Sequence, residues 1–249
     1  MQISEIPGKL EKSLANRGAF GTVSFCVAKL LGCFKPSHWR TKTLARARDL
    51  EFDNAWGVDT SGILEPDKSD VQGENWIHGT RYQAVDPTDF MKVMNGLALD
   101  FGQFTFIDFG SGKGRAVLLA SNYPLKKAIG VEYSEPLTQI ARNNVRRYPD
   151  DRKKCHAIEM VCADATEFPI PAGPLILFMN NPFAMPLMQK LIHNVETSFQ
   201  ANPRRIIVIY FTAQSAALWD TVQILHRTQN SEHRYIAVYD TLKQASNQA

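Results

Sequence analysis

The residues best suited to chemistry stand in one ten-residue run, FIDFGSGKGR, at 106–115. Asp108 closes a short apolar stretch, and glycines follow at alternate positions, Gly110, Gly112 and Gly114. Glycine carries no Cβ, so such a loop lets the backbone approach a ligand closely. Two more acids close apolar runs further on, Glu132 in GVEY and Asp164 in VCADATEF, and a polar loop, NNPFA, holds Asn180, Asn181 and Phe183. Carboxylates accept from ammonium and hydroxyl groups, and amide oxygens accept N–H bonds. The question is which ligand this set serves.

Phosphate ligands fit poorly. A P-loop needs G-x-x-x-x-G-K-[ST]. Lys113 follows Gly112, but Ile107 stands where the first glycine belongs and Gly114 where the hydroxyl belongs. The dinucleotide pattern G-x-G-x-x-G, begun at Gly110, ends on Arg115, which denies the close helix–strand packing that the third glycine allows. That weakens a nicotinamide reading and leaves it open. The four cysteines, Cys26, Cys33, Cys155 and Cys162, form no C-x-x-C pair, so zinc spacing is missing and no metal is expected. Their usage fits a reducing, cytoplasmic setting.

Elements able to position these residues are legible from about residue 90 onward. A helical pattern in DFMKVMNGLAL precedes strand FTFIDF, and helix GRAVLLASNY leads to strand KKAIGVEY. Helix PLTQIARNNVRRY, strands IEMVCAD and PLILFMNN, helix AMPLMQKLIHNVETSF and strand RIIVIYF follow. A helix near Trp219 and a last strand, YIAVYD, complete the series. Alternation of this kind predicts a mostly parallel sheet with helices on both faces. Near-continuous apolar strands agree with a sheet buried on both sides. The hydrophobic share, 44%, with 14 Phe and 4 Trp, is enough for one real core.

The spacing Asp108-x-Gly110-x-Gly112-x-Gly114, with Ser111 between the first glycines, resembles the first motif of class I S-adenosylmethionine-dependent methyltransferases. The resemblance runs over about residues 80–240. It implies a Rossmann-like α/β fold and S-adenosyl-L-methionine as cofactor. In its terms Asp108 faces the ammonium of the cofactor, Glu132 takes the ribose hydroxyls, Asp164 takes the adenine amine, and Ala165 neighbours the ring. The loop with Asn180, Asn181 and Phe183 lies beside the transferred methyl. NNPFA is similar to a loop of non-SET protein-lysine methyltransferases, and GSGKGR to their glycine motif. The whole run most resembles uncharacterised bacterial class I members that carry a GVDTSG segment, here residues 57–62. Tyr82, in the upstream YQAVDPTD, is matched to a segment that folds over the methionine tail in the lysine-methylating relatives.

The implied reaction is an S-adenosylmethionine-dependent methyl transfer, to a nitrogen, a protein lysine included. Other readings stand beside it: a small-molecule or lipid acceptor, a nucleic-acid acceptor, a non-catalytic scaffold that binds the cofactor, and a nicotinamide oxidoreductase.

The remaining organisation is read as three parts: an N-terminal basic extension and covering segment, 1–89; the cofactor-binding domain, 90–242; and a polar tail, 243–249. Formal net charge is only +3, yet residues 1–52 hold nine Lys/Arg against four Asp/Glu. Such an arm suits an acidic surface, RNA or anionic lipid, or is a solvated helix face. The stretch 18–34, GAFGTVSFCVAKLLGCF, is too short to span a bilayer. It reads as an amphipathic helix packed on the domain or lying at a membrane surface. Residues 36–90, crowded with turn signals, are expected to be irregular and to wrap the domain or cover a site.

Overall fold

The computed structural model describes residues 49–64, 82–213, 215–228 and 235–242. The expectations for 18–34, Cys26, Cys33, the basic arm before residue 49 and the tail 243–249 lie outside the described residues.

Seven strands form one sheet: β3 (Thr105–Phe109), β4 (Lys127–Glu132), β5 (Ile158–Cys162), β6 (Leu175–Asn180), β7 (Ile206–Phe211), β8 (His226–Arg227) and β9 (Ile236–Asp240). Their spatial order is β5-β4-β3-β6-β7-β9-β8. The five from β5 to β7 are mutually parallel, and β9 runs antiparallel to both neighbours. A separate antiparallel pair, β1 (Ile63–Leu64) with β2 (Tyr82–Gln83), precedes the sheet.

Apolar runs dictate these strands. TFIDF and IIVIYF are buried at every position, which requires cover on both faces. Helices provide it, as crossovers between parallel strands must. Here α3 (Arg115–Ser121) joins β3 to β4, α4 (Glu135–Arg147) joins β4 to β5, and α5 (Met185–Ala201) joins β6 to β7. Residues 49–56 form α1 and Pro87–Gly96 form α2, and the short α6 (Ala216–Trp219) follows β7. Caps set the starts: Asp86 accepts from Thr88 N and Asp89 N ahead of Pro87, and Ser134 accepts from Leu137 N ahead of Pro136.

Side-chain alternation divides the core in two. Phe106, Ile176, Phe178, Ile207 and Ile209 pack with Phe52, Phe90, Met94, Val117 and Ala141 on one face. Ile107, Phe109, Leu175, Leu177 and Val208 pack with Leu187, Met188, Leu191 and Trp219 on the other. This is the α/β Rossmann-like fold of class I methyltransferases that the resemblance implies.

One expectation is corrected. The stretch 36–90 is not wholly irregular: 49–56 is helical, Ile63–Leu64 pairs with Tyr82–Gln83, and α2 begins at Pro87. Turn residues dominate the reading there, whereas α1 is held by tertiary contacts. Phe52 is in the core, and Trp56 meets Tyr148 edge-on at 6.1 Å between ring centroids.

Candidate functional site

The registry of the parallel strands brings the polar residues to one edge of the sheet. Glu132 pairs with Cys162, Asn180 with Phe211, and Asp108 with both Gly130 and Phe178, all near carboxyl ends. In open α/β sheets ligands bind outside those ends, where the strand order reverses. The reversal falls at β3, flanked by β4 and β6.

The loop after β3 turns back over β4. Gly110 N and Ser111 N donate to Val131 O at 2.8 and 3.1 Å, and Gly112 N donates to Glu132 Oε2 at 2.8 Å. Gly110, Gly112 and Gly114 hold φ of 77°, 52° and 87°, the left-handed region that an L side chain rarely enters. At two of them space is also closed. A Cβ on Gly110 would lie 2.3 Å from Pro182 Cβ, and one on Gly112 would lie 2.1 Å from the Tyr82 ring. The glycine loop is thus packed between the loop after β6 and the segment ahead of β3.

Asp108 is 3% exposed, and no hydrogen bond from the described residues reaches its carboxylate. Burial, with the Glu132 carboxylate beside it, pushes Asp108 well above the ordinary carboxylate range. Burial also raises Glu132, opposed by backbone donors from Ser134, Gly112 and Tyr133. Glu132 Oε1 accepts from Ser134 N at 3.1 Å and Oε2 from Gly112 N at 2.8 Å, with the Tyr133 backbone as a third donor to the carboxylate.

The nearby bases are committed elsewhere. Lys113 Nζ binds Asp59 Oδ1 at 2.7 Å and Ser61 O at 2.9 Å. Arg115, 1% exposed, binds Thr60 Oγ1 at 2.7 Å and Asp49 Oδ1 at 2.5 Å, with Asp53 Oδ1 at 3.5 Å. Among the described residues, the two buried acids beside the glycine loop therefore have no cation as a partner, which fits a ligand bearing an ammonium.

Other sequence-predicted residues are distributed as follows. Tyr82 lays its ring on Gly112 and donates its hydroxyl to Thr60 O at 2.6 Å. The Ser111 side chain turns inward toward Gly130 and finds no hydrogen-bond partner among the described residues. Asp164 Oδ1 accepts from Thr166 N and Oγ1, both at 2.8 Å, closing a turn, and Ala165 is buried in the core on the α5 face.

Asn180 Nδ2 donates to Gln83 O at 2.9 Å, and its Oδ1 accepts from Thr212 Oγ1 at 3.1 Å. Asn181 Oδ1 accepts from Tyr210 Oη at 2.9 Å. Phe183 is 5% exposed and belongs to the core cluster with Met179, Leu187 and Met188. The structure thus gathers Asp108, the glycines, Glu132, Tyr82 and Pro182, while Phe183 and the Ser111 side chain turn into the protein.

Sequence reasoning missed Arg115, Thr60, Asp53, Asn144, Gln83 and Thr212. Asn181 and Thr212 share an unusual feature, φ of 48° and 52° without being glycine. Such strain gathers at functional sites. For Arg115 a signal existed: a base in the first turn opposes the helix dipole, so its placement needs outside partners. Among the described residues no group of His, Cys, Asp and Glu could hold a metal ion, and no helix is long and apolar enough to cross a membrane.

Residues 107–175 match the family described as methyltransferase domain. That segment begins inside β3 and carries the glycine loop, Glu132 and Asp164. No curated protein matches the chain in sequence. Among solved structures, a predicted N6-adenine-specific DNA methylase from Listeria monocytogenes is 12% identical, with 70% of this chain and 53% of that chain covered and a TM-score of 0.47. Magnesium protoporphyrin IX methyltransferase from Synechocystis, solved with bound S-adenosylmethionine, is 13% identical, with coverages of 62% and 77% and a TM-score of 0.43. The YcgJ protein from Bacillus subtilis is 18% identical, with coverages of 53% and 54% and a TM-score of 0.38. This chain spans about half the length of the first and third of these. The domain match, laid over the strand–loop–helix unit, is what bears on the chemistry.

Proposed function

We propose that this S-adenosylmethionine-dependent methyltransferase delivers its methyl group to a nitrogen acceptor, a protein lysine being the acceptor class that the loop at 180–183 fits best. The observation that carries the reading is the orientation of Asn180. Gln83 O can only accept, so the amide must turn Nδ2 toward it and present Oδ1 on the other side, where it accepts from Thr212 Oγ1 at 3.1 Å and keeps a second lone pair. An amide oxygen at the end of β6 suits a substrate that brings N–H donors.

The cofactor supplies an electrophilic methyl on a sulfonium sulfur, which keeps the electron pair when the methyl leaves. The residues of the chain do the rest by placement. Asp108 would answer the amino group, and Glu132 would offer its remaining acceptor capacity to the ribose hydroxyls. Tyr82 and Pro182 close the glycine loop from two sides and limit water. A lysine ammonium, with a reference pKa of about 10.4, must lose a proton to water before its lone pair can attack. An apolar surround lowers that value, and Asn180 Oδ1 holds a remaining N–H so that the lone pair points at the methyl.

The test is transfer of tritiated methyl from the cofactor into a cell lysate. Label is expected in protein, recovered as methyllysine on hydrolysis. Asn180→Ala should bind the cofactor with unchanged affinity and label nothing. Label confined to lipid, nucleic acid or small molecules would replace the acceptor assignment, and full labelling by Asn180→Ala would remove the role of the amide.

A further inference from the structure

Every residue from Gly112 to Arg115 except Gly114 touches the segment upstream of β3. Gly112 carries the Tyr82 ring, Lys113 binds Asp59 and Ser61 O, and Arg115 binds Thr60, Asp49 and Asp53. From α4, Asn144 accepts from Asp59 N at 2.8 Å and donates to Asp59 O at 2.8 Å and to Lys113 O at 3.0 Å. The GVDTSG segment is therefore latched to the glycine motif from two helices.

Thr60 is the centre of the latch. It is fully buried, and each polar atom is engaged. Its N donates to Asp53 Oδ2 at 2.9 Å, and its Oγ1 donates to Asp53 Oδ1 at 2.5 Å while accepting from Arg115 Nε at 2.7 Å. Its carbonyl accepts the Tyr82 hydroxyl at 2.6 Å. A chain of contacts then runs from Arg115 through Thr60 and Tyr82 to Gly112, whose N–H is held by Glu132 at 2.8 Å.

Simple packing does not call for this construction. A buried guanidinium forfeits its hydration, and apolar residues of similar volume often serve stability equally well. What the ionic arrangement adds is fixed direction, because the guanidinium fork sets Thr60 in one orientation. We propose that Arg115 and Thr60 are positioning residues for the cofactor: they hold Tyr82 on Gly112, making segment 57–62 a wall of the cofactor site and not a separable extension. The proposal rests on reading residues 110–114 as the cradle of S-adenosylmethionine.

The experiment is calorimetric titration of the full chain with S-adenosylhomocysteine, for wild type, Thr60→Val and Thr60→Ser, with the melting temperature of each free protein recorded. Thr60→Val keeps volume and removes the hydroxyl between Arg115 and Asp53, whereas Thr60→Ser restores it. Roughly tenfold weaker binding is expected for the valine variant, and binding within about twofold of wild type for the serine variant. A merely structural role would lower the melting temperature and leave the affinity of the folded chain unchanged, and that result overturns the proposal. If Thr60→Val fails to fold, Tyr82→Phe decides. It keeps the ring on Gly112 and loses only the bond to Thr60 O, so several-fold weaker binding supports the proposal and wild-type affinity overturns it. Wild type that does not bind S-adenosylhomocysteine would remove the cofactor reading itself, a failure visible before any variant is measured.

Discussion

Asp108 is where the chemistry of single residues is most demanding. Burial and the neighbouring Glu132 carboxylate raise its native value well above the ordinary carboxylate range, which favours the protonated form. The stability it contributes is complete below the unfolded value, near 4, and is lost as pH rises through the raised native value. The free protein should therefore lose stability with rising pH over that window, and Asp108→Asn should flatten the loss in pH-dependent melts. An ammonium favours the ionised form, so cofactor binding should expel protons and tighten as pH rises through the same window. Calorimetry in two buffers of different ionisation heat reads this directly, and Asp108→Asn should reduce the proton release, Glu132 being raised as well. At Gly112 two constraints coincide, φ of 52° and a Tyr82 ring 2.1 Å from any Cβ. Gly112→Ala is expected to shift the loop and abolish S-adenosylhomocysteine binding measured by the same titration, whereas an alanine variant with wild-type affinity would mean that the loop does not bear on the ligand.

Among the elements, α4 does more than cover the sheet. Its Asn144 makes three hydrogen bonds that tie segment 57–62 to Lys113. Asn144→Ala leaves buried backbone groups unpaired, at a cost of about 2 kcal/mol, to be read as a lower urea midpoint with an unchanged slope. The parallel strands were legible as short apolar runs, and their crossover helices as longer segments with apolar residues at helical spacing. The places of Asp108, Glu132 and Asp164 at or just after strand ends were legible because they close those runs. Helix 49–56 was not legible. Of its large apolar residues Leu50 is exposed, which leaves Phe52 and Trp56 as anchors, and its other inward residues, Asp49 and Asp53, read as surface until Arg115 is seen between them. Phe183, matched by resemblance to a place beside the transferred methyl, is buried in the core cluster with Leu187 and Met188 of α5, a packing that no local pattern reports. No local pattern reports Thr212, whose left-handed backbone and bond to Asn180 arise from the meeting of β6 and β7 ends.

For the molecule as a whole, the sheet supplies a rigid edge, and the segment ahead of it supplies the cover. Ligand binding must add to global stability, because only the folded chain has the cradle. At a ligand concentration a hundred times the dissociation constant the gain is about 2.7 kcal/mol, which for a chain of this size raises the melting temperature by roughly 5–10 °C. Asp49, Asp53 and Asp59 neutralise Arg115 and Lys113, so the cluster that joins cover to cradle is acidic by one charge and contributes no positive field to the site. On the proposed reading, the ammonium of the ligand would be the cation that Asp108 and Glu132 lack among the described residues. Titration of the purified full chain with S-adenosylmethionine, with NAD as the parallel ligand, tests this most directly. Micromolar binding of S-adenosylmethionine with proton release, and none of NAD, is the result predicted. A folded chain that ignores S-adenosylmethionine, or that prefers NAD, would contradict the account.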